Sequence, residues 1–238
     1  GYVCAIVTGT THKSVIITYD AKGNELFKTY LSNTVAVDAC VSTDNSEFAY
    51  AEVNNSGTTI QSNIKIILIK DVKEKNTEPK YEYSAPQDSL ILRIKYQNKS
   101  QLICMYDNSI HKFEAGVDVE LTKLNEDNPK INFADIELNN YIFRTYEKST
   151  SIFSADTIIE MQNISNEKEN IYTIEEVAKA VVSYNNVIAV NLGNEVYFVD
   201  TNAWLIKRYS SSQVIEKIIL GDGLAGIIYS DKIEIVNL

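Results

Sequence analysis

The feature that most constrains the fold of this chain is a phrase of two strands joined by a short polar turn, which occurs five times. The turns lie 37 to 53 residues apart, at Asp44-Asn45, Gln97-Asn98, Asn139-Asn140, Asn185-Asn186 and Asp222-Gly223. Asn, Asp and Gly tolerate the positive φ that tight hairpins need. A period of about 40 to 50 residues is typical of a repeat in which each unit is a small four-stranded sheet.

Two strands are predicted after the turn in each repeat. The strands that follow the turns are EFAYAEV from Glu47, QLICMY from Gln101, YIFRTY from Tyr141, VIAVNL from Val187 and LAGIIY from Leu224. The third strands are IKIILIK from Ile64, SIHKFE from Ser109, TIIEMQ from Thr157, EVYFVD from Glu195 and KIEIVNL from Lys232. Their β-branched and aromatic residues suit a pleated, half-buried surface. The chain is therefore predicted to be all-β, a β-propeller of four-stranded antiparallel blades.

The length of 238 residues is sufficient for one domain with its own core. We predict a single β-propeller domain over residues 1–238 with about five to six blades. The blade-like units are 1–33, 34–87, 88–127, 128–175, 176–212 and 213–238. The alternative is a truncated part of a larger propeller of about seven or eight blades.

The two ends of the chain share a second motif, in which a strand ending in Asp is followed by a turn and an aromatic-bearing strand. Tyr19–Tyr30 resembles Val199–Tyr209 once a one-residue gap is allowed. The gap aligns Asp20 with Asp200, Leu26 with Leu205, Lys28 with Lys207 and Tyr30 with Tyr209. We interpret this motif as the outer edge of a blade. The first sheet would then hold second, third and fourth strands and the last sheet first, second and third strands, so we expect further blades upstream.

One segment, Thr173–Tyr184, carries helix signals, because Thr173 and Glu176 form a capping-box pattern ahead of good helix formers. Its place in the repeat is that of a first strand, so a helical turn is the less favoured alternative. The charged runs Asp71–Lys80 and Asn166–Asn170 are interpreted as solvated loops.

The formal net charge of −10 at pH 7 repels nucleic-acid phosphates and anionic lipid surfaces. Nucleic acid is therefore not an expected partner. Apolar runs long enough to span a membrane are absent from the sequence. The opening GYVCAIVTG lacks the basic start of a signal peptide and is interpreted as a strand.

Residue types that enzymes use are scattered along the chain. His12 lies in a hairpin turn and His111 in a strand, and neither stands beside a nucleophile motif. Cys4, Cys40 and Cys104 lie in apolar runs without metal-ligand spacing, which favours buried free thiols over ligands or a redox centre. Asp-rich calcium loops are absent from the sequence as well.

Two further patterns have ordinary explanations. GDGLAG, Gly221–Gly226, resembles a phosphate-binding loop, but a strand is predicted after it where a helix is needed. Carboxylate pairs such as Glu114 with Asp118 and Glu175 with Glu176 are expected by chance in an acidic chain. We predict no catalytic, cofactor-binding or metal-binding residue, no cofactor and no enzymatic activity.

Fifteen tyrosines and one tryptophan, Trp204, suit both packing between blades and recognition surfaces. Packing is the favoured role for the alternating Tyr81 and Tyr83. A docking role between blades is favoured for Trp204.

The chain resembles an uncharacterised family of β-propeller-like proteins from clostridia and related Gram-positive bacteria. The likeness rests on GYVCAIVTG, VDACVSTDNSEFAYAEVNNSGTTIQSNIKII, VNLGNEVYFVDTNAWLIKRY and GLAGIIYSDKIEIVNL, and it covers essentially the whole chain. The resemblance implies a single-span membrane protein whose propeller lies outside the cytoplasm. It also implies that this sequence begins after the membrane helix and the first blades, and it carries over no active-site residue.

These observations favour a non-catalytic interaction or scaffold module at the cell envelope. The expected partner is another envelope protein or a wall polymer, because loops from several blades converge on one rigid face. The alternative is a carbohydrate- or quinone-handling enzyme that acts through the central channel. A cytosolic WD-type scaffold is weakened by the absence of Gly-His to Trp-Asp phrases from the sequence.

Overall fold

The computed structural model describes residues 1–54, 56, 59–73, 78–86, 89–125 and 129–238, except for the side chain of Lys73. Within these residues the chain forms six antiparallel sheets and one short helix, which confirms the predicted all-β class. The chain divides into two compact units, Gly1–Lys123 and Leu124–Leu238, each with three sheets. The assignment of all 238 residues to a single domain stays a prediction.

The first unit contains one three-stranded and two four-stranded sheets, in each of which neighbouring strands follow one another along the chain. The first sheet consists of β1 (Val3–Val7), β2 (Ser14–Tyr19) and β3 (Glu25–Leu31). The second consists of β4 (Val35–Val41), β5 (Glu47–Asn54), β6 (Gln61–Leu68) and, after the helix α1 (Ile69–Lys73), β7 (Tyr81–Ser84). The third consists of β8 (Ile91–Tyr96), β9 (Gln101–Tyr106), β10 (Ser109–Glu114) and β11 (Val117–Lys123).

The second unit contains two four-stranded sheets and one three-stranded sheet of the same meander topology. The fourth sheet consists of β12 (Ile131–Asp135), β13 (Tyr141–Ser149), β14 (Ala155–Asn163) and β15 (Glu169–Ile174). The fifth consists of β16 (Ala180–Tyr184), β17 (Val187–Asn191), β18 (Glu195–Asp200) and β19 (Leu205–Ser210). The sixth consists of β20 (Lys217–Gly221), β21 (Leu224–Ile228) and β22 (Ile233–Asn237).

The five repeated turns form as the sequence predicts. Positive φ angles occur at Asn45 (58°), Asn140 (57°), Asn185 (52°) and Gly223 (67°). At the remaining turn, the side-chain oxygen of Asn98 accepts the backbone N–H groups of Ser100 at 3.0 Å and Gln101 at 2.9 Å. The ten predicted strands around these turns are all present, although the one predicted from Ile64 to Lys70 ends at Leu68.

The position assigned to the N-terminal strands was wrong. β4 and β8, the first strands of the second and third sheets, pack beside each other, and β1 packs beside β4 in the same way. The second strand β5 also contacts the next first strand, β8, and β2 makes the same contact with β4. β1, β2 and β3 are therefore the first, second and third strands of their sheet, not the second, third and fourth. Among the described residues the first and sixth sheets both consist of these three strand positions.

The Asp motif at the two ends is a shared turn that needs no gap. Asp20 and Asp200 each accept two backbone N–H groups, from residues two and four positions later, at 2.8 to 2.9 Å. After each turn one strand residue bulges out of the ladder, Leu26 in β3 and Ile206 in β19. In an alignment of the two turns by their bulges, Leu26 corresponds to Ile206, not to Leu205 as the sequence alignment with a gap predicted. β3 and β19, the strands that follow the two turns, are both edge strands of their sheets as described. The turn joins second and third strands at one end and third and fourth at the other, so it is local turn chemistry and does not fix the number of the strand.

The helix α1 replaces the end of a predicted strand, because Ile69 and Val72 are one helical turn apart and both are buried in the core between the first and second sheets. The predicted loop Asp71–Lys80 is therefore helical at its start, and its residues 74–77 lie outside the described residues. Thr173–Tyr184 contains no helix, since β15 ends at Ile174 and β16 begins at Ala180. The run Asn166–Asn170 begins at the end of a turn, and β15 starts within it at Glu169.

Strand β5 shows how the cores of the first unit are built. Phe48 and Tyr50 face the first sheet, where they pack with Ile16 and Leu31. Ala49 and Ala51, which alternate with them, pack with the third sheet around Leu102 and Tyr106. The period of two in a strand thus puts large side chains into one interface and small ones into the other.

Candidate functional site

A hairpin that extends past its own sheet is the most exposed candidate site. β13 and β14 have nine residues each, whereas their neighbours β12 and β15 have five and six. The β13–β14 ladder continues to the pair Ser149 and Ala155, beyond the last residues that pair with β12 and β15. We call residues 147–156 the projecting hairpin.

The tip of the projecting hairpin places two large apolar side chains in solvent, with Ile152 92% and Phe153 96% exposed. The turn beneath them is ordered, because the backbone N–H groups of Thr150 and Ser151 donate to the carbonyl of Ser154 at 3.0 and 3.1 Å. The hydroxyl of Ser151 also accepts the N–H of Phe153 at 3.2 Å. Exposed apolar side chains on an ordered support are typical of anchors for another protein.

Two aspartates that the sequence analysis missed connect neighbouring first strands. The carboxylate of Asp38 on β4 accepts the N–H of Ala39 at 2.9 Å and that of Ile94 on β8 at 2.8 Å. The carboxylate of Asp135 on β12 accepts the N–H of Ile136 at 2.8 Å and the hydroxyl of Ser183 on β16 at 3.0 Å. The shared apolar-Asp-apolar pattern in VDAC and FADI was the available signal.

Asp38 is a half-buried carboxyl with a raised pKa. Burial raises its pKa, and the two N–H donors and the charge of Arg93 offset this only in part. Because both carboxylate oxygens are occupied by backbone donors, the group holds β8 against β4. It is a structural clamp.

His111, predicted to have no special role, is buried beside a carboxylate and a hydroxyl. Its Nδ1 lies 2.7 Å from Asp118 Oδ1, and its Nε2 lies 3.0 Å from Ser109 Oγ. The ring packs edge-on against Tyr106. Ser109 is itself buried and donates to Asn108 Oδ1 at 3.0 Å, so a substrate has no approach to this hydroxyl. The three groups have the order of a catalytic triad, but the hydroxyl is at the buried end of the network and the carboxylate at the exposed end.

The remaining predicted residues fall into ordinary positions. His12 lies in the β1–β2 connection, with its ring 4.9 Å from that of Tyr30. Tyr83 packs on Phe113 with ring centres 4.4 Å apart, which confirms the packing role of the alternating tyrosines. Trp204 is mostly exposed, so its predicted docking between blades was wrong. Its backbone N–H donates to Asp200 and helps to close the turn there. Gly223 lies in the hairpin turn between β20 and β21, not in a phosphate-binding loop.

The three cysteines are free, and burial is the largest cause of the raised pKa of each thiol. The thiols of Cys4, Cys40 and Cys104 are therefore protonated at neutral pH and unreactive. Glu114 and Asp118 take different partners, Gln101 and His111. In the described part of the chain, no cluster of three or more His, Cys, Asp or Glu side chains is arranged to bind a metal. Nor do the described ranges hold any helix with the length and apolarity to cross a bilayer.

Two clefts flank β5, and a buried glutamate lines each. On the side of the third sheet, Glu47 is 7% exposed and binds Lys80 Nζ at 2.7 Å and the hydroxyl of Tyr96 at 3.1 Å, beside a cavity of about 160 Å³. On the side of the first sheet, Glu52 is 3% exposed and binds Lys65 Nζ at 2.8 Å and the hydroxyl of Thr34 at 2.7 Å, beside a cavity of about 510 Å³.

These contacts shift the pKa values of the two lysines in the same direction. The hydrogen bond that Lys80 donates to Glu47 is the largest cause of the raised pKa of Lys80. For Lys65, burial lowers the pKa most as a single cause, but the hydrogen bonds and charges of Glu52 and Glu82 together exceed it, so the pKa is raised. Both ammonium groups are charged at neutral pH.

Solved structures of low sequence identity share the fold of this chain. Hsv2 from Kluyveromyces marxianus aligns over 99% of this chain and 71% of its own, with 11% identity and a TM-score of 0.58. Hsv2 from Kluyveromyces lactis aligns over 99% and 73%, with 11% identity and a TM-score of 0.56. The C-terminal WD40 domain of Sif2 aligns over 95% and 76%, with 11% identity and a TM-score of 0.52. Together with the six antiparallel sheets, these matches confirm the β-propeller fold.

A model of a family of unknown function, DUF5711, matches residues 1–238. A search of curated proteins found no match.

Proposed function

Because this chain belongs to the DUF5711 family of unknown function, we propose its role from its own geometry. It is a non-catalytic module for protein interaction or scaffolding, and the projecting hairpin is its contact site. The observation that carries this proposal is the near-complete exposure of Ile152 and Phe153 on an ordered turn.

The projecting hairpin suits an apolar pocket on a partner. Aromatic anchors dominate binding energy when a partner's pocket desolvates them. The hydrogen bonds of Thr150, Ser151 and Ser154 hold the turn before binding, which lowers the ordering cost of association. Phe153 would enter the pocket and Ile152 would cover its rim.

We further propose that the module works outside the cytoplasm, associated with the cell envelope and anchored by a membrane helix upstream of this sequence. Its partner would be another envelope protein or a wall polymer. This part rests on the resemblance of the quoted sequence phrases and not on the geometry. Labelling of intact cells with a membrane-impermeant reagent tests it, and a full-length protein that resists labelling until lysis contradicts it.

Crosslinking of the full-length protein in intact cells tests the role of the projecting hairpin. The double variant Ile152→Ser, Phe153→Ser is expected to lose the crosslinked partner while the fold is kept, since both side chains lie in solvent. Trp204→Ser is the matched control, because it removes an exposed aromatic from another turn. A partner retained by the double variant, or lost equally in the control, contradicts the proposal.

The alternative function, a carbohydrate- or quinone-handling enzyme, has one observation in its favour, the contact of His111 with Ser109 and Asp118. The burial of Ser109 opposes it. We expect no turnover of chromogenic esters or glycosides. Turnover that Ser109→Ala abolishes would make the internal network a catalytic site.

A further inference from the structure

A cleft between the first and second sheets of the first unit has the size of a ligand site. It encloses about 510 Å³ between β3, the link to β4, and the facing surfaces of β5 and β6. Its lining residues are Lys28, Thr29, Tyr30, Leu31, Ser32, Asn33, Thr34, Tyr50, Glu52, Lys65 and Pro79. Small-molecule sites are typically concavities of about 300 to 1,000 Å³ with a few convergent polar groups. We call it the Glu52 cleft.

The charges in the Glu52 cleft are already paired. Lys65 Nζ lies 2.8 Å from Glu52 and 3.7 Å from Glu82, and Lys28 Nζ lies 2.9 Å from Glu25. The second oxygen of Glu52 accepts the hydroxyl of Thr34 at 2.7 Å. A charged ligand would have to displace one of these ion pairs, so the arrangement favours an uncharged one.

One buried hydroxyl in the lining of the Glu52 cleft, that of Thr29, has no hydrogen-bond partner. Thr29 is 7% exposed, and its hydroxyl forms no hydrogen bond. Thr29 alternates with the exposed Lys28 and Tyr30 along β3, so it faces the second sheet. Buried hydroxyls are satisfied in most proteins because an unpaired one costs free energy. Because Thr29 lines the Glu52 cleft, a ligand there that supplies a hydrogen-bonding group would satisfy its hydroxyl.

We propose that the Glu52 cleft binds a neutral saccharide unit. Six of its lining residues carry hydroxyl or amide groups. Hydroxyl groups of the sugar would pair with Thr29, Ser32 and Asn33. The site does not depend on the projecting hairpin, so either proposal can fail without the other.

Chemical-shift titration of the isotope-labelled chain tests the proposal with three probes: chitotriose, maltotriose and inorganic phosphate. We expect at least one trisaccharide to shift the amide signals of the Glu52 cleft, with a dissociation constant in the millimolar range. Phosphate should shift none of them, because the lysines are neutralised by their carboxylate partners. Binding of chitotriose alone identifies an amino-sugar polymer as the source, and binding of maltotriose alone identifies a glucan.

Thr29→Val and Thr145→Val form a matched pair for this experiment. Each removes a buried hydroxyl without a partner, but Thr145 lies on β13 and does not line the Glu52 cleft. Both variants should melt at or above the temperature of the unmodified chain. Thr29→Val should bind the trisaccharide about tenfold more weakly, and Thr145→Val should bind it unchanged. Absence of trisaccharide shifts in the cleft, phosphate binding there, or unchanged affinity of Thr29→Val would each overturn the proposal.

Discussion

The two faces of β5 pack against their neighbouring sheets with side chains of opposite size. Toward the first sheet the strand presents Phe48 and Tyr50, and toward the third sheet it presents Ala49 and Ala51. Each face ends in a buried glutamate bound to a lysine, Glu52 on the aromatic face and Glu47 on the alanine face. The large side chains accompany the larger cavity, about 510 Å³ against 160 Å³.

The difference shows that side-chain volume within the core does not decide where a cleft remains. On the alanine side, Ile94 and Tyr96 of β8 reach across and fill the space that the small residues leave. Toward the first sheet, Phe48 and Tyr50 close the centre of the interface, and the cleft lies toward the end that holds the ion pair of Glu52 and Lys65. The ion pair does not make the difference, because the other face has one as well.

The largest effect is expected for Phe48→Ala. Phe48 is fully buried, so the substitution leaves a cavity and should cost about 3–5 kcal/mol of the free energy of unfolding. Urea unfolding measures it. Phe153→Ala removes the same ring from an exposed position and should stay within about 0.5 kcal/mol. Equal losses in the two variants would mean that the aromatic side of β5 is not a packed core.

A smaller effect is expected for Ala49→Leu on the opposite face. Ala49 is fully buried, and the added side chain would push the second and third sheets apart, at a cost of about 1–3 kcal/mol. Ala21→Leu, in the exposed turn after β2, is the control and should be neutral in the same urea experiment. A stabilised Ala49→Leu would show that the alanine face is underfilled.

The two glutamates should differ in the cost of their removal. Glu52→Gln leaves Lys65, whose side chain is three-quarters buried, without its main partner, and should cost about 1–3 kcal/mol. Glu47→Gln should cost less, because Lys80 is more exposed and can be solvated. The order of the two urea midpoints is the measured quantity. A reversed order would show that the hydrogen bond from Tyr96 to Glu47 outweighs the burial of Lys65.

Alkaline pH should weaken both faces. Burial raises the pKa of the hydroxyls of Tyr50 and Tyr96, and the charges of Glu52 and Glu47 add to it. An unfolded tyrosine ionises near pH 10, so above this pH the unfolded chain loses protons that the native chain keeps, and stability falls as pH rises. The raised pKa values of Lys65 and Lys80 act in the same direction at still higher pH.

The contribution of each tyrosine is at most about 1.4 kcal/mol per pH unit. Tyr50→Phe and Tyr96→Phe should each reduce the slope of stability against pH above pH 10 by that amount. Unfolding midpoints measured across this range test it. An unchanged slope in one variant would show that its hydroxyl ionises equally easily in both states.

Much of the fold is predictable from local patterns, because turn chemistry and period-two alternation act within a few residues. The turns at Asn45, Asn140 and Gly223 needed only the tolerance of these residues for positive φ. Strand position within a sheet depends on packing between sheets, and this is where the Asp20 and Asp200 turns misled. The two turns are alike because the carboxylates of Asp20 and Asp200 accept backbone N–H groups a few residues away. These hydrogen bonds form in the same way whether the turn joins second and third strands or third and fourth strands.

The candidate sites were harder to predict for the same reason. The sequence does not indicate that β13 and β14 are longer than β12 and β15, because relative length depends on how all four strands pair. The segment STSIFS, with two large apolar residues inside a polar run, was the available signal for the tip. The Glu52 cleft joins residues from β3, β5 and β6, which only register and packing bring together.

The projecting hairpin also has a mechanical consequence. Its two strands continue inward as β13 and β14, the central pair of the fourth sheet, with β12 and β15 bonded on either side. A pull on Phe153 along the hairpin axis would load in shear the hydrogen bonds from β13 to β12 and from β14 to β15, so that many of them must break at once. A tug across the axis would instead peel the overhanging pairs one by one, and tension would reach the sheet only after the overhang had opened.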